Sequence, residues 1–214
     1  LLIGSSSYLG TELFHFFENK HNRIISVSSK IGSEYDYKNF HLIKSFKSID
    51  IVFVMSGFDE SNSINLNNSI RVKKKVLDSL LRLSRTVKVK KIFYFSSVKV
   101  YSDKLVGKIS ENTSLFSNSV YSKAHLFAEK YLKDNYKNLN YTILRLSNVY
   151  GSLINSDKGN KYILNSLLKS IKNKKKFKIK SKVDFYRDFI SIDYFLYVIK
   201  FIIDNKIRVQ LLNL

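Results

Sequence analysis

The strongest constraint on this chain is a pair of short apolar runs that never alternate, Ile51-Val52-Phe53-Val54-Met55 and Ile92-Phe93-Tyr94-Phe95. A strand with one face in water alternates apolar and polar residues. A strand apolar on both faces must be covered on both, as in a parallel sheet sandwiched by helices. Accordingly, strands are expected at Asp50–Met55 and Lys91–Ser96, with others at Leu1–Ile3, Ile24–Val27, Tyr141–Leu146 and Val209–Leu212. Between them lie segments of helical spacing. Thr11–Asn19 would bury Leu13, Phe14, Phe16 and Phe17. Ser69–Ser84 carries Val72, Val76, Leu77, Leu80 and Leu83 on one face. The segment from Val120 to about Asn135 aligns Tyr121, Ala124, Ala128, Tyr131 and Leu132. Helices near Tyr162–Ile171 and Ile192–Asp204 follow. This alternation specifies an α/β fold built on a doubly wound parallel sheet. With 214 residues, the chain divides into a sheet domain over 1–150 and a smaller set of elements over 151–214.

The formal net charge of +20 calls for an explanation. Nucleic acid is one partner for such a surface. Composition favours another account: the chain has no Pro or Trp, only two alanines (Ala124 and Ala128), and abundant Lys, Asn, Ile, Phe, Tyr and Ser. That is the residue usage of an AT-rich coding sequence, in which lysine replaces other surface residues throughout. Nucleic acid is therefore not the partner this composition indicates, though a positive surface suits a diphosphate-bearing substrate. The run Lys172-Asn173-Lys174-Lys175-Lys176 reads as a solvated helix end. No apolar run approaches the roughly 18 residues of a membrane span, and no secretory signal opens the chain. Without cysteine there are no disulfides or thiolate metal sites, and a cytoplasmic location is expected. The first residues already read as a buried strand, which predicts further residues, including a Met, ahead of Leu1.

Gly4-Ser5-Ser6-Ser7-Tyr8-Leu9-Gly10 sits between the first strand and first helix, where a dinucleotide-binding turn belongs. Gly4 permits the tight turn, Gly10 lets the helix pack on the strand, and the helix start directs N–H groups at a pyrophosphate. Ser7, Tyr8 and Leu9 complete that candidate loop. The second strand ends Val27-Ser28-Ser29-Lys30 with no acidic residue to hold an adenosine ribose. Ser28, Ser29 and Lys30 suit a 2′-phosphate instead, so of NAD and NADP the residues favour NADP. Ser56-Gly57, after the third buried strand, reads as a plain turn.

A serine leaves the strand Ile92–Phe95 at Ser96-Ser97, and Tyr121 opens a helix at Tyr121-Ser122-Lys123-Ala124-His125. That order sets a hydroxyl and a phenol side by side above the sheet. The arrangement resembles the extended branch of the short-chain dehydrogenase/reductase superfamily, whose members modify nucleotide sugars on a Rossmann sheet. Further segments carry the resemblance: Val100-Tyr101-Ser102 is similar to the family's V-Y-G step, Leu144-Arg145-Leu146-Ser147-Asn148-Val149-Tyr150-Gly151 to its L-R-x-x-N-V-Y-G, and Arg187-Asp188-Phe189-Ile190-Ser191-Ile192-Asp193 to its R-D-F-I/V-x-V-x-D. The family spaces its loop glycines G-x-x-G-x-x-G, and Ser7 stands at the middle one.

The resemblance implies that Ser97 hydrogen-bonds the substrate oxygen and that Tyr121 is the general acid/base. It implies that backbone at Ser56-Gly57 passes beneath the cofactor. It also implies substrate contacts from Asn148, which alternatively orders its loop, and from Arg187 to the diphosphate. Glu111 matches a frequently acidic family position, and Asp193 suits a helix start. The family places a lysine four residues after the tyrosine, where its charge favours the phenolate; here that position is His125. Four residues advance a helix by roughly 400°, which stacks residue 125 over Tyr121, whereas Lys123 is turned away by about 200°. A neutral imidazole could bond the cofactor ribose without supplying charge, or a protonated His125 could act at lower pH.

The expected function is therefore an NAD(P)-dependent nucleotide-sugar epimerase or reductase serving polysaccharide or deoxysugar synthesis, with a nucleotide-diphosphate sugar as substrate. No metal is expected, and a homodimer is common in the family. A dehydratase often has Asp-Glu after the strand serine; Val98-Lys99 argues against that branch. The family usually continues into a C-terminal substrate domain that extends beyond these residues. Two other readings stay open: a catalytically impaired NAD(P)-binding protein, suggested by Ser7 and His125, and a basic nucleic-acid-binding protein.

Overall fold

A computed structural model describes residues 1–18, 21–29, 33–43, 45–55, 57, 59–101, 107–151, 163–177 and 187–214. In chain order its elements are β1 (Leu2–Ile3), α1 (Tyr8–Phe17), β2 (Ser26–Val27), β3 (Ser48–Val54), α2 (Leu66–Thr86), β4 (Lys88–Ser97), α3 (Val120–Asn135), β5 (Tyr141–Leu146), β6 (Asn148–Tyr150), α4 (Ile163–Lys172), β7 (Phe189–Ser191), α5 (Ile192–Asp204) and β8 (Leu211–Asn213). Six strands form one sheet in the order β2-β1-β3-β4-β5-β8. Every pairing in it is parallel. β6 and β7 pair separately, also in parallel.

Successive residues of the central strands point into two different cores, which is why their sequences do not alternate. Val52, Val54, Ile92, Tyr94 and Ile143 pack with Val76, Leu77, Leu80 and Leu83 of α2 and Ala128 and Leu132 of α3. Phe53, Phe93, Phe95 and Leu144 face the other way, toward Leu13 of α1 and Phe195, Leu196, Ile199 and Ile202 of α5. Helices thus cover both faces, and the sheet is doubly wound and Rossmann-like.

Several element boundaries differ from the sequence expectation, for local reasons. α1 starts at Tyr8 rather than Thr11 because Ser7 caps it, its Oγ accepting from the Gly10 N–H at 3.0 Å. α2 starts at Leu66, where the Asn65 side chain accepts from the Asn68 N–H at 2.9 Å. β4 is longer than its apolar run because Lys88 pairs with Ser48. Of the four residues expected to be buried on α1, only Leu13 is; Phe14, Phe16 and Phe17 are half-buried, and Glu12 is buried instead. Tyr162, Ser102 and the 178–182 part of the late basic stretch lie outside the described residues.

Candidate active site

All six strands run the same way, so the loops after β1, β3, β4 and β5 gather at one edge of the sheet. From β1 the chain winds one way to β2, then crosses back over β1 to place β3 on its other side. This reversal opens a crevice at the ends of those strands. The turn from Gly4 to Gly10 lies there.

Gly4 adopts φ 97°, open to glycine at no steric cost. A Cβ on Gly10 would stand 2.3 Å from the Gly4 carbonyl oxygen, so only glycine allows α1 to start this close to β1. Ser7 has an ordinary φ of −73°. Its backbone conformation therefore does not demand glycine, and its side chain turns back to cap the helix. Tyr8 is buried and its hydroxyl donates to the Gly151 carbonyl, tying the turn to the segment after β6. Leu9 packs at the edge of the α1–α5 core.

At the end of β2, Ser28 is 2% exposed and shares a hydrogen bond with Ser33 at 2.6 Å. Its hydroxyl is thus engaged inside the protein, which does not favour a 2′-phosphate there. Ser29 is exposed. Lys30 and Ser56 lie outside the described residues. Gly57 has φ 136°, and a Cβ there would meet the Lys73 Nζ at 2.9 Å.

Ser97 ends β4, buried, and its Oγ accepts from the Lys99 N–H at 3.3 Å, starting the single 3-10 turn Val98–Val100. α3 packs against that turn. Ser119 caps α3, accepting from the Ser122 N–H at 3.1 Å, which sets Tyr121 in the first turn of the helix. His125 lies one turn on, its ring edge-on to Tyr121 with centroids 4.5 Å apart. Lys123 is exposed on the opposite side. Ser97 and Tyr121 are thus carried by two packed elements at the same edge of the sheet as the glycine turn.

His125 is 5% exposed. Desolvation, reinforced by the charge of Lys73, holds its pKa well below the ordinary histidine value, so the imidazole is neutral near neutrality. Its Nε2 lies 3.4 Å from the Lys73 Nζ, and its Nδ1 is buried with no hydrogen-bond partner. Burial also lowers Lys73 to about 7.

Behind these residues a charged pair fastens α3 to the sheet. Arg145 on β5 donates to both Glu129 oxygens, at 3.1 Å from Nε and 2.6 Å from Nη2. Glu129 also accepts from the Ser96 hydroxyl at 2.6 Å. Arg145 Nη1 donates to the Tyr101 hydroxyl at 2.6 Å, and Tyr101 donates to Asn213 Oδ1 at 2.9 Å. Glu111 Oε1 accepts from the Asn213 N–H at 2.7 Å, a structural task. The Asn148 side chain donates to the Asp188 carbonyl at 2.9 Å, ordering the junction of β6 with the segment that carries Arg187. Arg187 is exposed. Asp193 sits in the first turn of α5, which Ser191 caps.

Sequence reasoning missed Lys73 and Glu129, and took Arg145 only as part of a motif. Lys73 had a readable signal: it stands three before Val76, four before Leu77 and seven before Leu80, on the apolar face of α2.

A parallel α/β sheet with a glycine turn at its switch point defines a dinucleotide-binding class of protein. The NAD dependent epimerase/dehydratase family matches residues 1–211, and the chain belongs to that family. No curated protein is similar enough in sequence to match. Among solved structures, UDP-glucuronic acid 4-epimerase from Bacillus cereus, in complex with UDP-glucuronic acid and NAD, superposes with a TM-score of 0.80 at 19% identity, over 99% of this chain and 76% of that one. UDP-glucose 4-epimerase from Thermotoga maritima, with UDP-glucose, gives 0.80 at 19% identity over 100% and 75%. An NAD-dependent NDP-hexosamine 5,6-dehydratase of tunicamycin biosynthesis, TunA, gives 0.80 at 14% identity over 100% and 74%. At such identities these likenesses establish the fold. No helix among the described residues is long and apolar enough to cross a membrane.

Proposed function

We propose that the protein is an NAD-dependent nucleotide-sugar epimerase or ketoreductase in which Tyr121 is the general acid/base. The observation that carries this reading is the convergence of Ser97, Tyr121 and His125 on the sheet edge that holds the Gly4–Gly10 turn. The residues present fit a dinucleotide. Gly10 admits no side chain at the start of α1, and the buried His125 Nδ1 lacks a hydrogen-bond partner that a ribose hydroxyl would supply if the ring reached it. Gly4, Ser7, Tyr8, Leu9 and Gly10 would hold the pyrophosphate at the start of α1, with Gly57 beneath. Bound NAD supplies the acceptor and donor of hydride at a sugar carbon.

The work left to the chain is orientation and proton movement. The Ser97 hydroxyl orients the sugar oxygen, and the Tyr121 phenolic oxygen takes its proton and returns it. Asn148 braces the loop beside Arg187, and Arg187 pairs with the diphosphate. UDP-sugars, named in the UDP-glucuronic acid and UDP-glucose epimerase structures, are the substrate class to try first. Val98-Lys99 after the serine favours epimerase or ketoreductase over dehydratase. NAD is proposed over NADP because the Ser28 hydroxyl is already committed to Ser33.

A second reading, an NAD-binding protein without turnover, is favoured by the neutral imidazole of His125 in place of a permanent charge. Calorimetric titration with NAD+, NADH and NADPH, followed by incubation with UDP-glucose and UDP-glucuronic acid, separates the two. Micromolar NAD+ binding with conversion of either sugar supports the enzyme. Binding without conversion across a panel of nucleotide sugars supports the second reading, and no dinucleotide binding refutes both.

A further inference from the structure

α3 carries no permanent charge beside Tyr121, yet a lysine reaches the site from another helix. Lys73 of α2 is 4% exposed. Its Nζ lies 3.4 Å from His125 Nε2 and 3.4 Å from the Tyr94 hydroxyl, and 5.8 Å from the Tyr94 ring centroid. Gly57 is what leaves it room, since a Cβ there would stand 2.9 Å from Nζ. Among the described residues no carboxylate pairs with Lys73. Glu129, two turns beyond Tyr121 on α3, is bound to Arg145 and Ser96. A buried ammonium without a counter-charge is costly at rest. It becomes less costly once a negative charge forms nearby, and an ionised Tyr121 would be one, separated from the ammonium by the His125 ring.

We propose that Lys73 is the positioning cation of this site, acting through His125 to favour the ionised form of Tyr121. The lysine absent from position 125 is thereby replaced from α2. The inference rests on the reading of Tyr121 as the general acid/base. Among the described residues the titratable groups around the ammonium are Tyr94 on β4, His125 and Tyr121 on α3, and Glu129 beyond Tyr94. With Lys73 protonated, its N–H donates to His125 Nε2, which leaves the imidazole proton on Nδ1, the nitrogen without a partner. His125 is then a fixed neutral link, and Lys73 carries the charge. Burial holds that lysine near 7, so its proton is loosely held until the phenolate forms.

The test reads Tyr121 directly, in the protein without cofactor. Tyrosinate absorbance is titrated in the wild type and in Lys73→Met, each corrected by the matching Tyr121→Phe variant. The ammonium loses its proton near 7. In the wild type part of the tyrosinate is therefore expected to form together with that proton loss, and in Lys73→Met only in the ordinary tyrosine range, at a higher midpoint. In Lys73→Met/His125→Lys, which returns the cation on α3, the midpoint moves back toward wild type. An unchanged midpoint in Lys73→Met overturns the proposal. Should Lys73→Met fail to fold, 15N resonances of His125 in the wild type decide. An accepting Nε2 that shifts as Lys73 titrates supports the coupling, and an Nε2–H unresponsive to pH overturns it. NAD+ calorimetry on the same samples keeps the two readings apart. A shifted tyrosine without NAD+ binding refutes the proposed function alone, and intact binding with an unshifted tyrosine refutes the lysine's role alone.

Discussion

Replacing Glu129 by leucine strands the Arg145 guanidinium inside the protein. The Arg145 side chain is 1% exposed and that of Glu129 3%, so no solvent shell replaces the lost carboxylate. Two charged hydrogen bonds and the Ser96 contact disappear together. Breaking one side of a buried pair costs about 3–5 kcal/mol, whereas exchanging both partners for apolar residues is often neutral. For a chain of this size each kcal/mol lowers Tm by about 2–4 °C, so Glu129→Leu should melt roughly 6–20 °C lower. Glu129→Leu/Arg145→Met should recover most of that loss, because Tyr101 keeps its bond to Asn213. Urea and thermal melts of the wild type, both single variants and the double variant complete the cycle. A loss below about 1 kcal/mol in Glu129→Leu, or a double variant as unstable as the two singles summed, would refute the reasoning. The pair holds α3 to β5, and Glu129 also ties α3 to β4 through Ser96, next to Ser97, so NAD+ affinity should fall in the single variants.

Gly10→Ala places a methyl 2.3 Å from the Gly4 carbonyl oxygen; it should cost about 1–3 kcal/mol and abolish NAD+ binding, as read by melting and calorimetry. Tyr121→Phe should leave NAD+ binding intact and lower turnover about 10²–10⁴-fold, and unchanged turnover would remove the tyrosine from the mechanism. Burial sets the Lys73 pKa to about 7 against its ordinary 10.5. Between those values the unfolded chain binds the extra proton, so stability rises with pH by up to about 1.4 kcal/mol per unit. Lys73→Met removes that rise and should be the more stable protein at and below the lower end. Urea melts across the window check this, and parallel pH slopes in the two proteins would contradict it.

Much of the fold was legible because burial on both faces leaves a mark in one dimension. The runs Ile51–Met55 and Ile92–Phe95 read as covered strands from their shortness and their β-branched and aromatic content, and they divide residue by residue between the two cores. Boundaries were less legible, because a cap or a strand partner sets them. Ser7 starts α1 early through a bond to Gly10, and Ser48 extends β4 by pairing with Lys88. Helical spacing sufficed to stack His125 on Tyr121 and turn Lys123 away.

The sequence by itself determined the α/β class, the glycine turn at the first strand, and the placing of Ser97 at a strand end and Tyr121 near a helix start, since each depends on neighbours within a few residues. Only the tertiary structure decided the charge of that site. Lys73 and His125 are 52 residues apart, and Glu129 and Arg145 belong to different layers. Whether a titratable group is charged depends on its distance from water and from other charges in three dimensions. A lysine in a row of three reads as surface until the packing of α2 against α3 and the bare Cα of Gly57 direct it inward.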